Sequence, residues 1–230
     1  MKVSIVIPAY NEEKIIKKAL DSVINQVEAA EEIIVVDNNS TDKTAEIAKK
    51  LGVKVVCEEK QGMTPARNRG FNTAKYDIIA RIDADVVVPP DWVKRIRKNF
   101  ETKRIDALSG PLILADAPEI IARTPFPSKL YLDSLRMLSR GKRYLMGPNM
   151  SLTNDIWVHV RDIVNMDDSK VHEDIDLSLK ILKIGGIIGY DKKLIVNGSV
   201  RRMVGNPKSF FIEYPKRMVA TFRENKKSSI

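Results

Sequence analysis

Short apolar, β-branched runs alternate with amphipathic stretches through the first 114 residues, and that alternation constrains the fold more than any other feature. Residues 3–7 are apolar at nearly every position, as in a strand buried on both faces. Residues 12–26 then place Ile15, Ile16, Ala19, Leu20, Val23 and Ile24 on one helical face, with Asn11 as the expected N-cap. A second strand is expected over 33–36, followed by a helix over 42–51 that Gly52 ends. A third strand covers 53–57, and a helix to about residue 74 follows, capped by Thr64 with Pro65 as its first residue. A strand over 78–82, a helix from Pro90 to 102 and a strand over 107–114 complete the series. Alternation at this spacing means right-handed crossovers and a mostly parallel sheet, an α/β fold. Ligands in such sheets bind beyond the carboxyl ends of the strands, which singles out the loops at 8–12, 37–42 and 83–89.

The second half is less regular. A helix over 128–140 ending at Gly141, a strand within 144–152 and a helix over 173–184 before Gly185-Gly186 are expected. One or two strands follow in 187–196, then a helical tail over 207–225 that Pro215 kinks. There is no internal repeat and no flexible linker. The net charge of +9 suits nucleic acid, an anionic membrane surface or a phosphorylated substrate, or else a well-charged solvated surface. Cys57 is the only cysteine, which excludes an intrachain disulfide and a multi-cysteine zinc site. No apolar run is long enough for a membrane-spanning helix and no signal peptide is evident, so a soluble protein of the cytoplasm is expected.

Three acidic groups carry the chemistry. Asp83-Ala84-Asp85 follows the apolar strand over 78–82, and paired carboxylates at a strand end suit a hard divalent cation, Mg²⁺ or Mn²⁺, bridging to a diphosphate. An acidic turn that caps the next helix has the same appearance. Asp37 closes the second strand, where a carboxylate accepts hydrogen bonds from a base or ribose, whereas Ser40, Thr41 and Asp42 read as turn and cap residues. Glu173, Asp174 and Asp176 open a helix, as dipole partners or with one of them turned into a cleft as a general base. His172 beside them has the chemistry of a metal ligand, although a lone histidine is more often structural. Arg67 and Arg69 are placed to reach phosphate or the strand-end aspartates, and Arg201-Arg202 to clamp a diphosphate from the other side. The aromatic residues are too dispersed for base stacking, which argues against nucleic acid.

Taken together, these motifs resemble those of the family 2 glycosyltransferases, which have the GT-A fold. Val3-Ser4-Ile5-Val6-Ile7-Pro8-Ala9-Tyr10-Asn11-Glu12-Glu13 is similar to the family's first strand and nucleotide loop, and Val35-Val36-Asp37-Asn38-Asn39-Ser40-Thr41-Asp42 to its second. Ala66-Arg67-Asn68-Arg69-Gly70 resembles its Ala-Arg-Asn-x-Gly element, and Asp83-Ala84-Asp85 its DXD motif. Gly147-Pro148-Asn149-Met150-Ser151 resembles its acceptor-side strand, and His172-Glu173-Asp174 its Glu-Asp motif. The order of all six makes the resemblance specific over roughly residues 1–190.

The resemblance implies a metal-dependent, inverting transfer of a sugar from a nucleotide-diphospho sugar, UDP-linked in preference to GDP-linked, to a hydroxyl acceptor such as a lipid-linked or cell-surface glycan. Pro8, Ala9, Tyr10, Glu12, Asp37, Arg67, Asp83, Ala84 and Asp85 would bind the donor, with Asp85 and Asp83 at a Mn²⁺ or Mg²⁺ ion. Asp174 would be the base, and Asn149, Glu173, Arg201 and Arg202 would face acceptor or phosphate. One GT-A domain would cover 1–200, with a nucleotide-sugar half over 1–114 and an acceptor half over 115–200 sharing a sheet. Residues 201–230 fit a basic amphipathic helix, either at a membrane surface or packed back on the domain. Asn38 departs from the family, which often has a second aspartate there. No Gln-x-x-Arg-Trp run follows Asp174, which argues against a processive synthase. A sugar-phosphate nucleotidyltransferase is the nearest rival, but its first loop should be glycine-rich and basic, whereas Pro8-Ala9-Tyr10-Asn11-Glu12-Glu13 is acidic. A non-catalytic binder of membranes or nucleic acid is the other, and carboxylates at three strand ends would repel its phosphates.

Overall fold

The computed structural model describes residues 1–117, 125–139, 141–201, 205 and 213–227. Its centre is a seven-stranded sheet of order β3-β2-β1-β4-β7-β5-β8. β1 (Val3–Ala9), β2 (Glu32–Asp37), β3 (Lys54–Cys57) and β4 (Ile78–Arg81) run parallel. β7 (Met150–Thr153) is antiparallel to both β4 and β5 (Ala107–Ser109), and β8 (Ile188–Tyr190) runs parallel to β5. A separate parallel pair joins β6 (Leu112–Leu114) to β9 (Val196–Gly198).

The uniformly apolar β1 is explained by the layers around it. Val3, Ile5 and Ile7 pack on one face with Ile16, Leu20 and Val23 of α1 (Ile16–Ile24) and Val93 and Ile96 of α4 (Trp92–Thr102). Val6 faces the opposite side, with Phe71 of α3 (Met63–Thr73), Trp157 of α6 (Asn154–Val160) and Leu177 and Ile181 of α7 (Glu173–Lys183). Both faces of the sheet are therefore covered, as a parallel sheet requires. α2 (Thr44–Lys50) links β2 to β3, and α5 (Phe126–Leu138) and α8 (Tyr214–Lys227) flank a third cluster of Leu132, Leu135, Tyr144, Met146 and Ile175, with Met218 and Phe222 packed on it.

Several local expectations are corrected. Asn11 does not cap α1: it adopts a left-handed φ of 53°, and its side chain accepts from Thr41 N at 2.9 Å, pinning the first strand-end loop to the second. The helix over Met63–Thr73 begins after Gly62 instead of Thr64. The strand expected over 107–114 breaks at Gly110-Pro111 into β5 and β6: Pro111 has no N–H for a ladder, and the backbone at Gly110 comes so near the Leu194 carbonyl that a Cβ would lie 2.1 Å from it. The strand expected over 144–152 starts only at Met150, after a 3₁₀ turn over Gly147–Asn149. Pro215 sits in the first turn of α8, where a missing N–H costs nothing, so it does not kink the helix. The earlier part of that tail, with Phe210 and Phe211, lies outside the described residues, as does Arg202.

Candidate functional site

The carboxyl ends of β1, β2 and β4 lie side by side, with Ala9 in register with Asp37. Pro8 and Ala9 are buried and Tyr10 is 47% exposed, so the loop presents the tyrosine outward. Glu12 is buried, and its carboxylate accepts from Arg201 of the far half of the chain. Asp37 Oδ1 is buried with no hydrogen-bond partner. An unsatisfied carboxylate oxygen carries a desolvation cost of about 1–3 kcal/mol or more, which a ligand donor there would relieve.

Asn38 accounts for the departure from the family pattern. Its Nδ2 donates to the Glu58 carbonyl at 2.9 Å and the Lys60 carbonyl at 2.8 Å, and its Oδ1 accepts from Gly62 N at 2.9 Å. The side chain thus ties the loop leading into α3 against the end of β2. An aspartate cannot donate to two carbonyls. Asn38→Asp is therefore expected to cost about 2–4 kcal/mol, from two lost hydrogen bonds and the repulsion that replaces them; denaturant unfolding measures it, and an unchanged midpoint would refute it.

Asp83, Ala84 and Asp85 follow β4 directly, in a turn closed by Val86 N donating to the Asp83 carbonyl at 3.1 Å. Asp83 and Ala84 are buried and Asp85 is half-buried. Asp83 Oδ1 accepts from Arg81 Nη2 at 3.0 Å. Among the described residues no three His, Cys, Asp or Glu side chains form a ready-made metal cage. Two carboxylates at an open turn instead suit a cation that completes its shell with water and substrate phosphate, as Mg²⁺ does. The donor set fits.

Arg81 is the centre of the buried electrostatics. It is fully buried, and it donates to Glu173 Oε1 at 2.6 Å as well as to Asp83, with Asp174 Oδ1 at 3.6 Å. Arg67, 1% exposed, holds the other Glu173 oxygen at 2.9 Å and the Glu173 carbonyl at 3.0 Å. Its Nε and Nη2 donate to Asn68, so the whole guanidinium is turned inward. In this structure Arg67 is turned onto Glu173, away from the donor phosphate and the strand-end aspartates it was expected to reach. Glu173 likewise faces these arginines instead of an acceptor. Gly70, in the same helical motif, is where α3 lies flush on the sheet: a Cβ there would meet Val6 Cγ1 at 2.2 Å.

Two arginines thus face three carboxylates, and the surplus negative charge falls on Asp174. Burial would raise the pKa of Glu173, but Arg81 and Arg67 outweigh it and hold the group down at about 2. Asp174 goes the other way. Burial and the adjacent Glu173 charge push its pKa well above the ordinary value, against the pull of Arg81. Its Oδ2 accepts from Gly147 N at 2.7 Å, while Oδ1 is buried without a hydrogen bond. A Cβ on Gly147 would lie 2.8 Å from both oxygens, so only glycine permits this contact. Burial likewise pushes His172 down to about 4, leaving a neutral imidazole at the start of α7.

Asn149 is corrected outright. It is fully buried, donates to the Pro111 and Leu194 carbonyls at 3.2 and 2.6 Å, and accepts from Trp92 Nε1 at 3.1 Å. It staples four segments together, with both amide hydrogens committed and the side chain closed off from solvent. Arg81 is a position that sequence reasoning did not single out, and Gly147 entered it only as part of a motif. The available signal for Arg81 was a charge inside the otherwise apolar run Ile78-Ile79-Ala80-Arg81-Ile82.

Comparison with known proteins bears on the family and the fold. Residues 4–145 match the family described as Glycosyl transferase family 2. A dolichol-phosphate mannosyltransferase of Pyrococcus furiosus is 36% identical over 102 residues, 42% of this chain and 29% of that protein. The first curated relatives are matched over only 16% to 38% of their own length. Among solved structures, glucosyl-3-phosphoglycerate synthase from Mycobacterium tuberculosis, with Mn²⁺, UDP and phosphoglyceric acid, is similar at TM-score 0.71 and 20% identity, over 97% of this chain and 78% of that one. A mannosyltransferase of Pyrobaculum calidifontis with GDP-mannose and Mn²⁺ is similar at TM-score 0.68 and 20% identity, over 86% and 57%. Among the described residues no helix is long and apolar enough to cross a membrane.

Proposed function

Because the chain belongs to glycosyl transferase family 2, a family of nucleotide-sugar transferases with the GT-A fold, we propose that it is an inverting, metal-dependent enzyme in which Asp174 is the general base. The observation that carries this reading is the Asp174 carboxylate. One oxygen is fixed by Gly147 N at 2.7 Å and the other is left without a hydrogen bond beside Arg81, in a setting that raises its proton affinity. Once ionised, a carboxylate in that setting takes a proton from an acceptor hydroxyl as the nucleophile attacks, so transfer should rise with pH as Asp174 loses its proton.

The donor nucleotide lies across the ends of β1, β2 and β4. Asp37 Oδ1 receives a donor hydrogen from the base, Pro8, Ala9 and Tyr10 border the nucleoside, and Ala84 allows close approach of the donor at the turn. Asp85, with Asp83, would hold a Mn²⁺ or Mg²⁺ ion, which neutralises the departing diphosphate. The similar structures carry Mn²⁺ with UDP or with GDP-mannose; the Asp37 carboxylate would accept from uracil N3–H or guanine N1–H alike, and it is the family resemblance that puts UDP ahead of GDP. Arg201, bridging to Glu12 from the far half, stands where it can turn onto the diphosphate. Arg202 and a lipid-linked or cell-surface glycan as acceptor belong to the same reading; α8 packs Met218 and Phe222 on the domain, so a membrane contact of the basic tail would be made by its charged face alone.

Calorimetric titration with UDP and GDP, in Mn²⁺ and then in EDTA, tests the donor half. The expected result is metal-dependent binding of UDP, and Asp85→Ala should weaken it by about 10-fold or more through loss of a metal ligand. Equal UDP affinity with and without metal in the parent would refute the metal assignment.

A further inference from the structure

We propose that the C-terminal helix α8 belongs to the catalytic apparatus, with Thr221 and Asn225 as positioning residues that hold the Asp174 carboxylate against Gly147. This rests on the reading of Asp174 as the base. The two side chains grip the start of α7 on either side of the Glu173-Asp174 pair. Just before the pair, His172 N donates to Thr221 Oγ1 at 2.7 Å; Thr221 is fully buried, and its own proton goes to the Arg217 carbonyl at 2.7 Å, which fixes the lone pair. Just after it, Asn225 Nδ2 donates to Asp176 Oδ1 at 3.0 Å, while Asp176 Oδ2 accepts from Asn165 N at 2.8 Å.

The same helix reaches the other parts of the contact. Phe222 meets the ring of Tyr144 edge-on at 6.0 Å, three residues before Gly147, and packs with Met218 on the cluster that contains Ile175. Arg217 donates to the Asp168 carbonyl at 3.2 Å, and the Asp168 carboxylate receives Thr64 N at 3.1 Å on α3, the helix that carries Arg67. α8 therefore touches both sides of the Asp174–Gly147 contact: the start of α7 and, through Tyr144, the stretch that leads to Gly147. A helix that only covered a core would not spend two polar side chains on the residues flanking a buried acidic pair. These residues lie beyond the stretch that matches the family, which ends at 145.

The test is Thr221→Val, which keeps the shape and removes the acceptor, beside Thr221→Ser, which keeps the acceptor, both in the full chain. The first readout is hydrogen exchange of the Gly147 amide, which donates to Asp174. The expected result is exchange about tenfold faster in Thr221→Val, parental in Thr221→Ser, and unchanged at Ile34 and Val35 in both. The second is nucleotide release from UDP-glucose and GDP-mannose: kcat falls about 10-fold to 100-fold in Thr221→Val, with UDP affinity in Mn²⁺ within about twofold of parent. Parental exchange at Gly147 in Thr221→Val overturns the proposal whatever the activity. So does a loss of UDP affinity that matches the loss of kcat. A parent that releases neither nucleotide refutes UDP-glucose and GDP-mannose as its donors instead, and Gly147 exchange still decides the positioning role.

Discussion

Asp174→Asn will lower transfer by about 10²–10⁴-fold, the usual contribution of a positioned general base, while nucleotide affinity stays within about twofold of the parent. The amide oxygen of asparagine can still accept from Gly147 N, so the backbone around the 3₁₀ turn is kept and only the proton acceptor is lost. The same substitution should raise stability near neutral pH. Asp174 is pushed above its ordinary pKa by burial and by Glu173. Between that ordinary value and the raised one, the folded protein holds a proton that the unfolded chain has given up. Stability of the parent therefore falls as pH rises through this window, and an uncharged side chain at 174 removes the slope. The melting temperature of the variant relative to the parent should thus be higher at pH 8 than at pH 5. Retained transfer would place the base elsewhere, and a constant difference in melting temperature would refute the charge surplus on Asp174.

The strand ends were legible because burial on both faces leaves a local mark: Val3, Ile5, Val6 and Ile7 need no knowledge of their partners to read as a strand. The acidic motifs were legible for the same reason, since carboxylates that abruptly follow apolar runs stand out in one dimension. What failed depended on contacts far away in the chain. Asn149 looks like an acceptor-side polar residue until Trp92, Pro111 and Leu194, each at least 38 residues distant, take up its amide. Arg67 looks like a phosphate ligand until Glu173, 106 residues on, folds over it. The helix over Asn154–Val160 is no shorter than α2, but no glycine follows it as Gly52 follows α2, and it went unread. The 107–114 run was read as one strand in spite of Gly110-Pro111 at its middle, a pair that marks a break and that divides β5 from β6.

Arg81→Met is the substitution with the largest expected effect on stability. Methionine fills the space of the arginine stem but strands Glu173 Oε1 and Asp83 Oδ1, which together receive its two donors at 2.6 and 3.0 Å. Removing one partner of a buried charge pair typically costs about 3–5 kcal/mol, and here two partners lose it at once. For a chain of this size each kcal/mol moves the melting temperature by about 2–4 °C, so a fall on the order of 10 °C is expected in calorimetry. Glu173 keeps Arg67, which limits the damage on that side. Asp174 has no such reserve: burial and Glu173 already raise its pKa, and the opposing pull of Arg81 would be gone. Among molecules that remain folded, the rise of transfer with pH should therefore move to more alkaline values. Arg81→Lys separates the two effects, because one ammonium supplies charge but cannot fork between Glu173 and Asp83. It should restore part of the pH dependence while recovering less of the stability. A melting point within about 2 °C of the parent for Arg81→Met would mean that Asp83 and Glu173 are solvated in the protein, and the coupling between the donor end and the base would then have no buried charge to carry it.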